Sequence, residues 1–189
     1  MNSAAVLHLF RESGALLEGH FKLSSGLHST GYLQCALVLQ DGIRAEMLGS
    51  ELGEALENYG ATAVLSPAIG GLIIGHEVGR SLGVKAIFAE RVEKTLMLRR
   101  GFTLGPTDRV IISEDVVTTG LSTRETIDAA TATGATVVAA GSIIDRSGGA
   151  AALGVPFHSL AQLKLPVYKP EDCPMCKAGT PITKPGSRA

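Results

Sequence analysis

The sequence has no tryptophan, and aromatic residues make up only 4% of it. That leaves little material for the stacking platforms on which single-stranded nucleic acid is held. Charge of either sign is not in surplus: 17 Lys and Arg against 18 Asp and Glu give a net charge of −1. A general nucleic-acid binder would be basic. No apolar run reaches the roughly 18 residues of a membrane span. The opening MNSAAVLHLFRESG has no basic start followed by an apolar core, so no secretory signal is expected. Cysteine is scarce and odd in number: Cys35, Cys173 and Cys176 give no disulfide framework. A reducing cytoplasm is the simplest home. G-x-G-x-x-G after a strand and G-x-x-x-x-G-K-[ST] are both missing, which disfavours a dinucleotide site or a Walker-type nucleotidase.

What is present is a series of apolar strands and amphipathic helices in 189 residues, enough for one α/β domain and short for two. Residues 3–17 read as a short amphipathic helix with Val6, Leu7, Phe10, Leu16 and Leu17 on its apolar side. Phe21–Gly26 alternates and breaks at a turn, and Gly31–Cys35 reads as a second short strand, giving a hairpin or flap. Its polar tip, Ser24, Ser25, His28 and Ser29, either faces a ligand or is simply solvated.

Gly42–Asn58 has helical spacing at Ile43, Met47, Leu48, Leu52 and Leu56, and Gly60 stops it. A short buried strand, 61–65, leads through Ser66-Pro67 and Gly70-Gly71 to a helix ending near Leu82. That helix carries Gly71, Gly75, Gly79 and Gly83 at four-residue spacing. An interior glycine costs about 0.5–1 kcal/mol relative to Ala, so close backbone approach to the sheet or to a second subunit is expected in return. His76-Glu77 has no second His four residues on and makes no zinc-protease motif. After a strand at 85–90, residues 91–101 gather Arg91, Lys94, Arg99 and Arg100 against one acid, Glu93. This segment is either a solvated face or a mobile arm that folds over an anionic ligand.

The central stretch is Val110–Thr126, VIISEDVVTTGLSTRET. An apolar β-branched run ends in Glu114 and Asp115, a small-residue loop follows, and a helix is expected over 122–133 with Ile127 and Ala130 inward. Such a loop offers backbone N–H groups and hydroxyls at the positive end of a helix, where phosphate binds well. Two carboxylates just before it suit sugar hydroxyls or a metal ion accompanying a phosphate. A strand over 136–144 ends in Asp145-Arg146, where open α/β sheets place ligand contacts; an ion pair between the two is the plainer alternative. A last strand is expected over 157–163. Beyond Lys164 lie five of the eight prolines, Pro166, Pro170, Pro174, Pro181 and Pro185, marking an extended tail. Its single C-x-x-C, Cys173–Cys176, supplies at most two of four zinc ligands and reads as structural or as half of an intersubunit metal site.

The expected architecture is a doubly wound α/β domain with a mainly parallel central sheet flanked by helices. A helix and flap occupy residues 1–40, the α/β core 41–163 and the tail 164–189.

Val110–Ser122 resembles the phosphoribosyl-diphosphate (PRPP) signature of the type I phosphoribosyltransferases. Within them the chain is similar to the orotate-specific family, through Phe21–Gly26 with Ser29 and Tyr32, Glu90-Arg91 with Leu98–Phe102, and Asp145-Arg146. The resemblance implies transfer of the 5-phosphoribosyl group from PRPP to orotate, giving orotidine 5′-monophosphate and pyrophosphate in pyrimidine synthesis. Glu114 and Asp115 would hold the ribose hydroxyls, Thr118, Thr119, Gly120, Leu121 and Ser122 would cradle the 5-phosphate, and Val116 and Val117 would belong to the same PRPP site. Arg91, Lys94, Arg99 and Arg100 would meet the diphosphate, with Arg91, Lys94, Glu114 and Asp115 the catalytic set. Thr118 and Arg146, with Ser25 and Tyr32, would contact orotate. Mg²⁺ would be bound through PRPP and not directly by the protein. A homodimer is implied, its arm 91–101 reaching the neighbouring site. The chain departs from the commoner bacterial pattern at Glu114, where Asp is frequent, and at Ser24 and Gly70, where that pattern has ligand-binding lysines. The arm lacks that pattern's His and offers Arg99-Arg100 instead, and Lys22 lies near the lysine missing at Ser24, whose part it would take. Another base (uracil or a purine), or a non-catalytic regulator that binds PRPP or a nucleotide, are the competing readings.

Overall fold

The computed structural model describes residues 1–23 and 25–184. In chain order its elements are α1 (Ser3–Glu12), β1 (Leu16–Lys22), β2 (His28–Leu33), α2 (Ala36–Leu39), α3 (Gly42–Leu56), β3 (Ala63–Pro67), α4 (Leu72–Leu82), β4 (Lys85–Val92) and β5 (Thr95–Leu98). Then come β6 (Arg109–Val117), α5 (Leu121–Thr131), β7 (Thr136–Asp145), β8 (Phe157–Gln162), β9 (Val167–Tyr168) and α6 (Pro174–Lys177). Ser24 and Pro185, both singled out in the sequence, lie outside the described residues.

Six strands form the central sheet in the order β5-β4-β3-β6-β7-β8. All neighbours are parallel except β4 and β5. The strands are apolar because helices cover them on both faces: Val110, Ile111 and Ile112 of β6 and Ile143 and Ile144 of β7 have no exposed surface. One core gathers α1, α3 and α4 on Ile111, Ile143 and Ile144; the other gathers Ala130 of α5 and Leu96 of β5 on Leu65, Val110 and Ile112. The doubly wound α/β architecture expected from the sequence is therefore present. From β3 the chain runs outward to β4, and from β6 outward the other way to β7 and β8. β3 and β6 are adjacent, so the switch point and its crevice lie at their carboxyl ends.

The glycine series of α4 answers to the sheet. A Cβ on Gly75 would lie 1.8 Å from Ser66 Oγ, and one on Gly79 would lie 2.7 Å from Ala86 Cβ. Gly49 and Gly53 of α3 receive α4 in the same way, with Glu77 Cβ and Ser81 Oγ at 2.2 and 2.5 Å from the added carbons. His76 lies on the exposed side of α4.

Several local expectations are corrected. The first helix ends at Glu12, and Leu16-Leu17 open β1 instead of closing α1. Ser13 forms the C-cap and Gly14 takes φ +69°, which turns the chain out of the helix. Ile43 and Met47 share the helical period of α3 but face outward, Ile43 at 72% exposure. The arm 91–101 is in part a continuation of β4 that turns at Glu93-Lys94 and pairs back as β5. α5 begins at Leu121 and not Ser122, its N-cap being Gly120.

The flap is a three-stranded antiparallel sheet, β1-β2-β9, whose third strand comes from the tail. The tail therefore holds more regular structure than its prolines suggest. His28 and Ser29 are buried instead of forming a polar tip. Among the described residues no helix is long and apolar enough to cross a membrane.

Candidate active site

A cavity of about 290 Å³ opens at the β3/β6 switch point, lined by Pro67, Ala68, Gly70, Arg91, Leu96, Glu114, Asp115, Val116 and Ser122. A larger apolar groove of about 630 Å³ runs between β5 and α5, bordered by Lys94, Met97 and Asp128; it holds neither carboxylate of the signature. The chemistry is concentrated in the smaller cavity.

Its floor is the end of β6. Glu114 is 6% exposed, and burial, reinforced by the neighbouring Asp115, pushes its carboxyl up to about 9. Burial thus favours the protonated form of Glu114 near neutral pH, which makes it a carboxyl able to donate a hydrogen bond. Asp115 Oδ1 accepts from Val116 N at 2.8 Å, which fixes the carboxylate. Across the cavity, a Cβ on Gly70 would stand 2.9 Å from Asp115 Oδ1. Glycine here lets the loop after β3 close on the carboxylate.

The loop after β6 is held from above. Gly120 takes φ +75°, which a side chain would strain, and a Cβ there would lie 2.7 Å from Leu153 Cδ2. Arg124 Nη1 donates to Thr119 O at 3.0 Å and Ala152 O at 3.3 Å, tying the loop to the segment before β8. Thr118, Thr119, Leu121 and Ser122 are exposed around it. The N-cap Gly120 has no side chain to cap α5, and Thr119 Oγ1 accepts from Leu121 N only at 3.4 Å, so the N–H groups of the first turn that follow it remain available to an anion. Arg124 and Leu153 carry no motif; only their contacts reveal them.

Arg146 stands at the next strand end. Its backbone N–H donates to Val117 O at 2.8 Å, joining the end of β7 to the signature loop. Its Nε is buried without a partner among the described residues, and burial pulls the guanidinium down from its usual range. An arginine nevertheless stays charged, and a buried unpaired donor costs about 1–3 kcal/mol. Such a donor is suited to an incoming acceptor. The ion pair with Asp145 is not made: Asp145 accepts from Ser147 N at 2.7 Å and Gly149 N at 3.0 Å and shapes the turn instead. Cys35, buried, stands close enough to both strand ends to feel Asp115, Glu114 and Arg146. Burial raises its thiol, Asp115 and Glu114 raise it further, and Arg146 opposes them. The sequence pattern gave Cys35 no such place.

The cationic arm divides. Arg91 reaches the cavity rim, pairs with Glu125 of α5, and donates from Nη1 to Lys94 O at 2.9 Å. Arg100 grips Glu90 with both prongs, at 3.0 and 2.8 Å, and lies 5.9 Å from the centre of the Phe88 ring. Lys94, Arg99 and Arg100 do not line the cavity in this single chain. Neither do Ser25, whose Oγ accepts from Leu27 N at 3.4 Å, and Tyr32, whose hydroxyl donates to Gln34 at 3.3 Å. Glu114, Asp115, Val116, Ser122 and Arg91 are brought together; Val117, Thr118, Thr119, Gly120, Leu121 and Arg146 do not line the cavity, and the flap residues do not either.

No protein-family model matches the chain. It is similar to the orotate phosphoribosyltransferase of Carboxydothermus hydrogenoformans, 54% identical over 182 residues and 95% of each chain. It is also similar to that of Chlorobaculum parvum, 49% identical over 189 residues, covering 100% of this chain and 98% of the relative. Among solved structures, orotate phosphoribosyltransferase from Aeropyrum pernix superposes with a TM-score of 0.71 at 28% identity, over 84% of this chain and 93% of that one.

Proposed function

This chain belongs to the orotate phosphoribosyltransferase family, and on that premise we propose how its residues divide the reaction. The enzyme transfers the 5-phosphoribosyl group from PRPP to orotate, yielding orotidine 5′-monophosphate and pyrophosphate. The observation that carries the assignment of roles is the cavity at the β3/β6 switch point, with a buried carboxyl pair on its floor and a helix start beside it.

Thr118–Ser122 and the first turn of α5 take the 5-phosphate, because their N–H groups have no intrahelical acceptor. Glu114 and Asp115 take the ribose hydroxyls. Breaking the anomeric bond puts positive charge on the ribose ring, and Asp115 lies where that charge develops. Protonated Glu114 donates to one hydroxyl oxygen while Asp115 accepts from another. Arg91, at the rim, faces the negative charge that grows on the leaving diphosphate. Arg146 meets the orotate carboxylate with its guanidinium, a planar match that uracil and purines do not offer. The segment 91–101 covers the site and excludes water.

Mg²⁺ carried on PRPP fits this cavity, since the lining offers a cation no sulfur or imidazole ligand, only oxygen, with the Asp115 carboxylate the acidic group on offer to a metal held on the diphosphate oxygens. When bound with PRPP the ion supplies charge neutralisation on the departing pyrophosphate. The enzyme acts as a homodimer in the cytoplasm. Ile43, Met47 and Ile73 are exposed, and Lys94 and Arg99 lie outside their own chain's cavity, which leaves them to serve a neighbour's. Residues 1–40, 41–163 and the tail from 164 work as one domain.

A substrate panel tests the reading. Purified protein with PRPP and Mg²⁺ releases pyrophosphate with orotate and not with uracil, adenine or hypoxanthine. Turnover of a purine in preference to orotate overturns the role of Arg146.

A further inference from the structure

Four side chains far apart in sequence meet on the flap: His20 of β1, His28 of β2, and Cys173 and Cys176 of the tail. One ligand atom from each, and all four together, fall within 4.8 Å of one another. His20 Nε2 lies 2.9 Å from His28 Nδ1, 3.5 Å from Cys173 Sγ and 3.7 Å from Cys176 Sγ; Cys176 Sγ lies 3.3 Å from His28 Nδ1. Bonds of about 2.0–2.1 Å to nitrogen and 2.3 Å to sulfur around a tetrahedral zinc give ligand separations of roughly 3.3–3.8 Å. Three of the four measured separations fall on or near that range, and the imidazole pair is slightly tighter.

Hydrogen bonding alone does not account for the arrangement. His20 Nδ1 lies 2.9 Å from Thr180 O, a carbonyl that only accepts, so Nδ1 carries the proton and Nε2 of the neutral ring offers one lone pair. Three groups converge on that lone pair. The bond from the far ring nitrogen to a backbone carbonyl is the orientation seen for metal-bound histidines. Two thiolates and two neutral imidazoles also balance a divalent cation, so the buried site has no net charge.

The tail itself needs such an anchor. Cys173 is the only buried residue after Ala161 among the described residues, so apolar burial contributes little to its docking. Yet it wraps the flap at two places. β9 pairs with β2, and Thr183 exchanges backbone bonds with the neighbourhood of His20, donating to His20 O and accepting from Lys22 N at 2.9 Å each.

We propose that His20 Nε2, His28 Nδ1, Cys173 Sγ and Cys176 Sγ bind a structural zinc ion that staples the C-terminal tail across the flap. The single C-x-x-C is completed within its own chain, by histidines some 150 positions upstream, and not by a second subunit. Zinc is favoured over harder or softer metals by the mixed nitrogen and thiolate set. The ion is separate from the Mg²⁺ that accompanies PRPP.

Elemental analysis of the full-length protein, purified without chelator, is the test. About one zinc per chain is expected, falling to under about a tenth in Cys176→Ser and retained in His28→Cys, which keeps four ligands. Asp115→Asn should keep its zinc, since it alters only the PRPP site. Cobalt exchanged into the unmodified chain should show thiolate-to-cobalt charge transfer and tetrahedral ligand-field bands, a readout that needs no variant to fold. Unmodified protein that takes up neither zinc nor cobalt overturns the proposal. So does an ion lost from Asp115→Asn and kept in Cys176→Ser.

Discussion

Gly70 and Asp115 face each other across the switch-point cavity, so closely that a methyl group on Gly70 would lie 2.9 Å from one carboxylate oxygen and 3.0 Å from the other. The position where the commoner pattern has a lysine is thus filled here by the carboxylate's own approach. A residue of any size would displace Asp115. Gly70→Ala should therefore reduce kcat/KM for PRPP by about tenfold or more, a loss of roughly 1.4 kcal/mol in transition-state stabilisation. Because Gly70 is exposed, thermal unfolding should shift by no more than a typical surface change. Steady-state kinetics beside a melting curve checks both; unchanged kinetics would remove the Gly70–Asp115 contact from the mechanism.

Glu114 gives the pH dependence. Its folded-state carboxyl titrates near 9, raised above the ordinary value of 4.5 by burial and by Asp115. Between those values the folded chain binds a proton that the unfolded chain releases, so the contribution to stability is fully present at the acid end and is lost as pH rises through that window. The Tm of the ligand-free protein should fall from pH 5 to 9 more steeply than that of Glu114→Gln. Parallel curves for the two proteins would show that Glu114 is ionised throughout.

The arm offers a division of labour. Arg91 lines the cavity, whereas Arg100 is held by Glu90 and the Phe88 ring. Arg91→Ala should depress kcat/KM for PRPP strongly. Arg100→Ala should act through Glu90, so that Arg100→Ala combined with Glu90→Gln is no worse than either alone. Additive losses in that cycle would mean that Arg100 meets the substrate directly.

The sequence made much of this legible because the signature is local. Glu114, Asp115 and Thr118–Ser122 are consecutive, and the strand-loop-helix they form follows from β-branched residues, then a glycine turn, then helical spacing. The parallel sheet was readable from its apolar strands for the same reason. What escaped were relations between distant segments. Leu16-Leu17 fit a helix by composition, yet Gly14 turns them into a strand. Ile43 and Met47 keep the period of α3 and still face outward, since period alone does not say how wide the buried stripe is. Arg124, Leu153 and Cys35 serve the site by contacts that no spacing announces. His20 and His28 lie some 150 positions before the cysteine pair they approach, so no spacing around Cys176 announces them.

The central claim is that the guanidinium at the end of β7 selects the base while the carboxyl pair at the end of β6 holds the ribose. Arg146→Ala kinetics, with each substrate varied in turn, tests it most directly. The loss of a charge-assisted contact of about 1.5–3 kcal/mol predicts an orotate KM raised by about 10- to 150-fold, with the PRPP KM nearly unchanged and the fold intact. A KM raised for PRPP while that for orotate stays as it was would contradict the assignment and exchange the two ends of the site.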